Sequence, residues 1–395
     1  MMDEQHHSLF ESCVQIEPGA EPAQSIAKLP HCRGVVLFAD TADTPIFLLT
    51  AADIKRFSLN RLTCADATVA TKRVKLAQIT HKIYYRCCWC DFGSSLEHYR
   101  IAKQLFPARY RELVTFPKIW YVKINSTAKW PNFTITDTPE CLKQDVHIFG
   151  PLPSRKAAGD YISALNEAFW LCRQQCLIDD PAKAASCPYY QMGTCDAPCL
   201  GKASREMYLC RIKHAIEAAG GSRQEHAKWF NDTMKTLAAQ MNFEEAQRTK
   251  KQLEHLKKLD DPTYRWVCDL RELNVLHIDA GPKIKIKGQK KKTQSYMVFL
   301  IQGGAITQLE NFITEQISQL LETVSATVNR LACETSAQNI AEQMALTGFA
   351  MYRSKPSGLW INCRKLPTAD EMANIISKKF VDNGAGSEKN IGSHQ

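Results

Sequence analysis

No run of apolar residues in this 395-residue chain approaches the roughly 18 that a membrane-crossing helix needs; the longest, such as GVVLF (34–38) and YMVFLI (296–301), have the length of strands. A membrane is therefore not an expected partner. The first residues, MMDEQHHSLFESCVQIEPGA, lack an apolar core and carry acidic residues early, which excludes a signal or transit sequence and predicts a cytoplasmic protein. Neither sign of charge dominates: 50 Lys and Arg stand against 41 Asp and Glu, and the net +9 favours polyanionic partners only mildly. Long internal repeats are also missing. With 45% hydrophobic and 23% charged residues the composition is that of a globular protein. Its length implies roughly two to four domains.

Cysteine, by contrast, is abundant, with 16 residues. A reducing compartment disfavours disulfides, so scattered examples such as Cys32, Cys64, Cys268 and Cys363 read as buried thiols. One stretch is denser. CPYYQMGTCDAPC (187–199) follows RQQC (173–176), so that Cys176, Cys187, Cys195 and Cys199 form C-x10-C-x7-C-x3-C, with Cys172 as a substitute for the first. Gly193 and Pro198 let the chain turn tightly between sulfurs, and no C-x-x-C lies in this stretch, which argues against thioredoxin-like redox chemistry there. Converging thiolates bind soft centres, zinc or an iron–sulfur cluster, and the spacing does not separate the two.

Around this stretch the pattern alternates between strand and helix. RGVVLFADTADTPIFLLT (33–50) predicts a hairpin, ADIKRFSLNRL (52–62) a helix, KIYYRCCW (82–89) a strand and SSLEHYRIAKQLFP (94–107) a helix stopped at Pro107. In RCCWC (86–90), strand alternation would send Cys88 and Cys90 to one face beside Cys87, as buried thiols without a fourth metal ligand. A junction is expected between Asn125 and Asp145, rich in Pro and Thr, followed by helices over 156–172 and 204–219. Residues 226–259 predict a helical pair broken at Met241 and Asn242. Its apolar stripe (Met234, Leu237, Met241, Phe243, Ala246, Leu253, Leu256) is rimmed by Glu244, Glu245, Arg248, Lys250 and Lys251. Two short helices bury such a stripe poorly, so a partner or second copy is expected to complete it, with Phe243 as anchor. The last third returns to an α/β pattern and ends in DNGAGSEKNIGSHQ, which lacks a core and predicts a disordered tail.

FGPLPS (149–154), the helix after it, RQQC, CPYYQMGTCDAPC and the Tyr-containing helix at 207–210 occur in the order and approximate spacing of the UvrC family, the nuclease subunit of bacterial nucleotide excision repair, which this chain resembles. The resemblance implies a [4Fe–4S] cluster on Cys176, Cys187, Cys195 and Cys199, with zinc as the alternative. MNFEEAQRTKKQLEHL (241–256) resembles the UVR motif, through which such proteins meet the helicase subunit UvrB, and this implies partner contacts by Phe243, Glu244, Ala246, Arg248 and Leu253. Towards the N-terminus the family has a GIY-YIG nuclease domain, whose two tyrosines align here with Val36 and Phe47. Neither can move a proton as a phenol does. The catalytic arginine aligns with Phe57, with Arg56 and Arg61 nearby, and the metal-binding glutamate aligns with His98. Glu97 fits only after a one-residue shift, which turns a helical side chain by about 100 degrees. Imidazole is a weak magnesium ligand.

The implied fold is multidomain α/β: an N-terminal tail (1–28), a degenerate GIY-YIG-like α/β domain (29–125), a Cys-rich iron–sulfur segment (126–225), a UVR helical hairpin (226–262), a C-terminal α/β domain (263–370) and a disordered tail (371–395). The C-terminal domain resembles UvrC only faintly and lacks the acidic constellation of the family's second nuclease. PKIKIKGQKKK (282–292) places Lys283, Lys285, Lys287, Lys290, Lys291 and Lys292 on one expected loop, which suits sequence-independent phosphate contacts. The expected function is DNA binding and UvrB-like partner binding in excision repair without cleavage. Two alternatives stand beside it. One is a divergent active GIY-YIG endonuclease using Glu97, Arg56 or Arg61 and Tyr84 or Tyr85, the only case requiring Mg or Mn. The other is a protein adaptor that uses the UVR hairpin without DNA.

Overall fold

A computed structural model describes residues 6, 8–16, 22–63, 76–139, 145–174, 187–328 and 336–380. Cys176 and the expected disordered stretch 382–395 lie outside them. The described residues form a mixed α/β structure with three antiparallel sheets.

In the first sheet β1 (Ser12–Gln15), β2 (Gly34–Ala39), β3 (Pro45–Ala51) and β4 (Lys82–Cys87) are ordered β1-β4-β2-β3. β2 is buried along its whole length because both its faces are covered, which is why it reads as an unbroken apolar run. Val36, Phe38 and Ile83 pack under the helix Ile54–Thr63. Val35, Leu37 and Tyr84 face the helix Asp91–Leu105. Gly34 is dictated by close approach, since a Cβ there would stand 2.1 Å from the Arg86 carbonyl oxygen. β1 departs from the tail expected before residue 29: Val14 and Ile16 are buried, and the strand pairs with β4.

In the second sheet β5 (Trp120–Asn125), β6 (Thr134–Thr136), β7 (Val146–Leu152) and β8 (Cys268–Asp269) are ordered β6-β5-β7-β8. Val122, Ile124 and Phe149 share a core with Tyr161 and Leu165 of the helix Arg155–Ala168 and with Tyr208 and Ile212 of the helix Arg205–Gly220. Ser154 and Ser204 cap these two helices, accepting from the backbone N–H of Ala157 and Met207. The helical pair Arg223–Ala239 and Phe243–Lys257 breaks at Met241, and Asn242 caps the second helix. Leu253 and Leu256 enter the core of this second sheet, so the base of the stripe is completed by the chain itself rather than by a partner.

The third sheet, β9 (Asn274–Ile284), β10 (Thr293–Gln302), β11 (Ala305–Phe312) and β12 (Leu359–Asn362), is ordered β11-β10-β9-β12. One face carries the helices Ile317–Val328 and Ala369–Phe380. The latter extends the fold past residue 370, because Met372 and Ile376, one turn apart, are buried against Leu276 and Val298. The other face, with Val275, Met297 and Phe299, joins Val35, Leu37, Phe92 and Leu96 and the helix Ala337–Met351 in one continuous core. The expected first and last domains are thus fused at their hydrophobic centres.

Candidate metal centre and nuclease cleft

Cys187 precedes the short helix Pro188–Gln191, and its carbonyl accepts from the N–H of Tyr190 and Gln191. Gly193 turns the chain at φ +64°, a conformation that favours glycine, and Thr194 Oγ1 ties back to the Tyr189 carbonyl at 3.1 Å. Ala197, also left-handed at φ +51°, leads into the turn Pro198–Leu200 that presents Cys199. An ion pair from Arg211 to Asp196 fastens this loop to the helix Arg205–Gly220. Cys172, Cys187, Cys195 and Cys199 consequently line one narrow cavity with Arg173, Tyr189 and Tyr190.

These cysteines are free thiols. Burial pushes Cys172 up to about 11, and the neighbouring sulfurs of Cys195, Cys199 and Cys187 add to this. Cys195 and Cys199 are raised for the same two reasons, burial first. Sulfurs that repel one another as thiolates need a cation among them, and the donor set fits a soft metal centre. Arg173 adds positive charge at the wall: its guanidinium lies 4.7 Å from the Tyr189 ring centroid, and its buried Nε has no hydrogen-bond partner among the described residues.

The second candidate is a cleft of about 680 Å³ between the open edge of β3, the helix Asp91–Leu105, residues 112–117 and the helix Ala337–Met351. The structure brings Phe47 and His98 to it. Val36 and Phe57 lie elsewhere: Val36 packs under the helix Ile54–Thr63, and Phe57 sits on that helix against the same core. His98 is half-buried; desolvation lowers its pKa against a hydrogen bond with the Leu48 backbone, and its enclosed Nε2 has no hydrogen-bond partner among the described residues. Glu97 points away and is held by Arg86 at 3.1 Å and Arg100 at 2.8 Å. Arg61 stacks over Phe47 and Phe57, Arg56 is exposed, and the Tyr84 hydroxyl donates to Asp43 at 2.6 Å. Of the two carboxylates lining the cleft, Asp91 is bound by Arg33 at 2.8 Å and by Arg353, and Glu112 by Arg109 at 3.1 Å.

Cys88 and Cys90 are buried, but not by strand alternation. The strand ends at Cys87, Trp89 takes φ +59°, and Cys90 caps the next helix by accepting from Gly93 N–H at 3.2 Å. On the helical pair, Phe243 is 66% exposed and Glu244 is also exposed, whereas Ala246 and Leu253 are buried and Arg248 stacks 4.0 Å from the Trp170 ring centroid. All six lysines of the 283–292 hairpin tip are exposed.

The thiol-lined loop and the small antiparallel sheet beside it fall largely within a stretch that matches a known family. Residues 119–218 match the family described as UvrC/Cho excinuclease, middle domain. UvrABC system protein C of Ruminiclostridium cellulolyticum is 24% identical over 298 residues, 74% of this chain and 46% of that protein. The Alkaliphilus metalliredigens protein is 24% identical over 79% of this chain and 49% of its own length, and the Acetivibrio thermocellus protein 25% over 82% and 50%. The chain is UvrC-like over most of its length and spans about half the length of these relatives or less. No solved structure matches. Among the described residues no helix is long and apolar enough to cross a membrane.

Proposed function

We propose that this chain is a UvrC-like nucleotide-excision-repair protein that binds DNA and a UvrB-like partner without cutting DNA. The observation that carries the reading is His98: a half-buried imidazole with an enclosed Nε2 and a lowered pKa stands in the cleft where the resemblance calls for a metal-binding carboxylate. A neutral ring cannot neutralise a hard divalent cation as a carboxylate does. The carboxylates around it are engaged: Asp91 by Arg33 and Arg353, Glu97 by Arg86 and Arg100, and Glu112 by Arg109. Phe47 at the rim offers no hydroxyl to a reacting phosphate.

In this reading Cys187, Cys195 and Cys199, with Cys176 or Cys172, hold a [4Fe–4S] cluster, which when bound supplies a covalent staple across the loop. The chain's own part is to present those sulfurs from a turn set by Gly193 and Ala197, with Arg173 at the cavity wall balancing their charge and the Arg211–Asp196 pair fastening the loop. Phe243 and Glu244 at the tip of the helical pair meet the partner, while the lysine hairpin holds DNA phosphates.

Incubating the purified chain with a lesion-bearing duplex and Mg²⁺ or Mn²⁺ tests the central claim. Retention of the duplex with both strands intact is expected. Strand scission that disappears in Glu97→Gln would overturn the reading in favour of a divergent nuclease, and failure to retain DNA at moderate salt would favour a protein adaptor.

A further inference from the structure

Three metal-binding side chains converge away from the cysteine loop. His214 and Glu217 lie one turn apart on the helix Arg205–Gly220, and His226 enters from the next helix, Arg223–Ala239, across the turn at Gly221. Their nearest ligand atoms all lie within 4.8 Å of one another. Glu217 Oε2 stands 3.4 Å from His214 Nδ1 and 3.4 Å from His226 Nε2.

Those distances discriminate between two readings of the cluster. A charge-assisted hydrogen bond draws N and O to about 2.7–2.9 Å. Two ligands on one tetrahedral zinc, each about 2.0–2.1 Å from the metal, are separated by about 3.4 Å. The carboxylate is thus spaced from both imidazoles as if sharing a cation. The other nitrogen of His214, Nε2, lies 3.6 Å from Cys210 Sγ, which orients the ring with Nδ1 towards Glu217. Phe169 packs edge-on against the His226 ring with centroids 5.6 Å apart and holds the second imidazole. Arg211 lines the adjoining cavity, but Asp196 engages its charge.

We propose that His214, Glu217 and His226 form a zinc site distinct from the cysteine centre, with solvent in the fourth position. Two imidazoles and one carboxylate suit Zn²⁺, or Co²⁺ in its place, rather than Mg²⁺ or Ca²⁺. Because its ligands straddle Gly221, the site joins the helix Arg205–Gly220 to the helical pair and fixes the angle at which the pair leaves the second sheet. Zinc binding here is independent of the function proposed above.

The test uses the full chain, purified without oxygen so that metal on the cysteines stays in place, then given Zn²⁺ and freed of excess by gel filtration. One equivalent of zinc per chain is expected beyond any metal on the cysteines. His214→Ala and Glu217→Gln alter side chains 48% and 41% exposed, so they preserve the fold, checked by circular dichroism. Each should weaken zinc binding at least about tenfold and leave the cysteine-bound metal unchanged. Co²⁺ titration reads the donor set directly: weak visible bands lost in Glu217→Gln are expected. Retention of the full zinc equivalent in both variants, no zinc uptake by the wild type, or a cobalt spectrum dominated by thiolate charge transfer would each overturn the proposal.

Discussion

Glu342 lets the joint between the first and third sheets be tested by removing one charge. It lies on the helix Ala337–Met351, its side chain only 6% exposed. It accepts from the hydroxyls of Tyr110 at 2.7 Å and Tyr99 at 2.9 Å, from Lys103 at 3.0 Å and from Arg111 at 2.9 Å. Burial alone would raise its pKa, but the bonds from Tyr110, Lys103, Arg111 and Tyr99 outweigh it and hold the carboxyl at about 2. A glutamate that falls from about 4.3 unfolded to about 2 folded contributes on the order of 3 kcal/mol at neutral pH. Because the folded value is depressed, that stability is present above the unfolded pKa and is lost as pH falls towards 2. Glu342→Gln keeps the shape and discards the charge, so at pH 7 it should destabilise the chain by about 3 kcal/mol. By pH 3 the wild type has lost roughly half of its advantage, and the gap should narrow accordingly. Urea unfolding of both proteins at pH 7, 5 and 3, followed by circular dichroism, measures the gap. A variant within about 0.5 kcal/mol of wild type at pH 7, or a gap that stays constant down to pH 3, would refute the assignment of Glu342 as the charged hub of this joint.

Changing Cys187, Cys195 or Cys199 to Ser should abolish bound iron and the brown colour of oxygen-free protein, whereas Cys363→Ser, away from the cavity, should retain both; a colourless, iron-free wild type would sink the cluster. Phe243→Ala should cost at least about 2 kcal/mol of affinity for a UvrB-like partner while leaving the melting temperature unchanged, since the ring is already 66% exposed. Equal binding by pull-down or calorimetry would exclude the tip as the anchor. Replacing Lys290, Lys291 and Lys292 with Ser should flatten the salt dependence of DNA binding, lowering the log–log slope by about 0.9 for each phosphate that is no longer neutralised. An unchanged slope would move the DNA surface elsewhere.

Local patterning made individual elements readable and left their partners hidden. GVVLF and PIFLLT announce a hairpin by their β-branched and aromatic content, and Met241–Asn242 interrupts a helical period where Asn can cap. Periodicity says which face of an element is apolar but not what covers it. It therefore left Leu253 and Leu256 of the stripe to be completed by an outside partner, although the core that holds the helix Arg155–Ala168 covers them. The same limitation hid the fusion of Val35 and Phe92 with Phe299 across more than two hundred positions. Met372 and Ile376 were legible as an i, i+4 pair, but the polar stretch after residue 381 masked the helix. Cys88 and Cys90 were read as alternating strand residues because nothing in RCCWC marks the left-handed turn at Trp89. The His214–Glu217–His226 cluster had a weak signal, H-x-x-E on one helix, whose third member becomes a neighbour only through the reversal at Gly221.

For the DNA binding proposed above, the cleft beside β3 and the lysine hairpin differ in the charge they can offer. In the cleft beside β3, Phe47 and Phe349 are exposed, 41% and 46%, and Leu49, Leu113 and Leu346 line the walls with them. Arg353, the cation among the lining residues, already neutralises Asp91 together with Arg33. A phosphate entering there would lose water without gaining a free positive partner, which low-dielectric apolar walls make costly. The 283–292 hairpin is the opposite case: six exposed ammonium groups on a two-stranded projection lose little solvation on meeting a phosphate and release its counterions. The cleft that holds Phe47 and His98 and the lysines of the hairpin therefore lie on different elements, while Arg61, the cation beside Phe47, stacks over Phe47 and Phe57. An enzyme that cut DNA would need both at one place, whereas a chain that only grips it and recruits a partner would not.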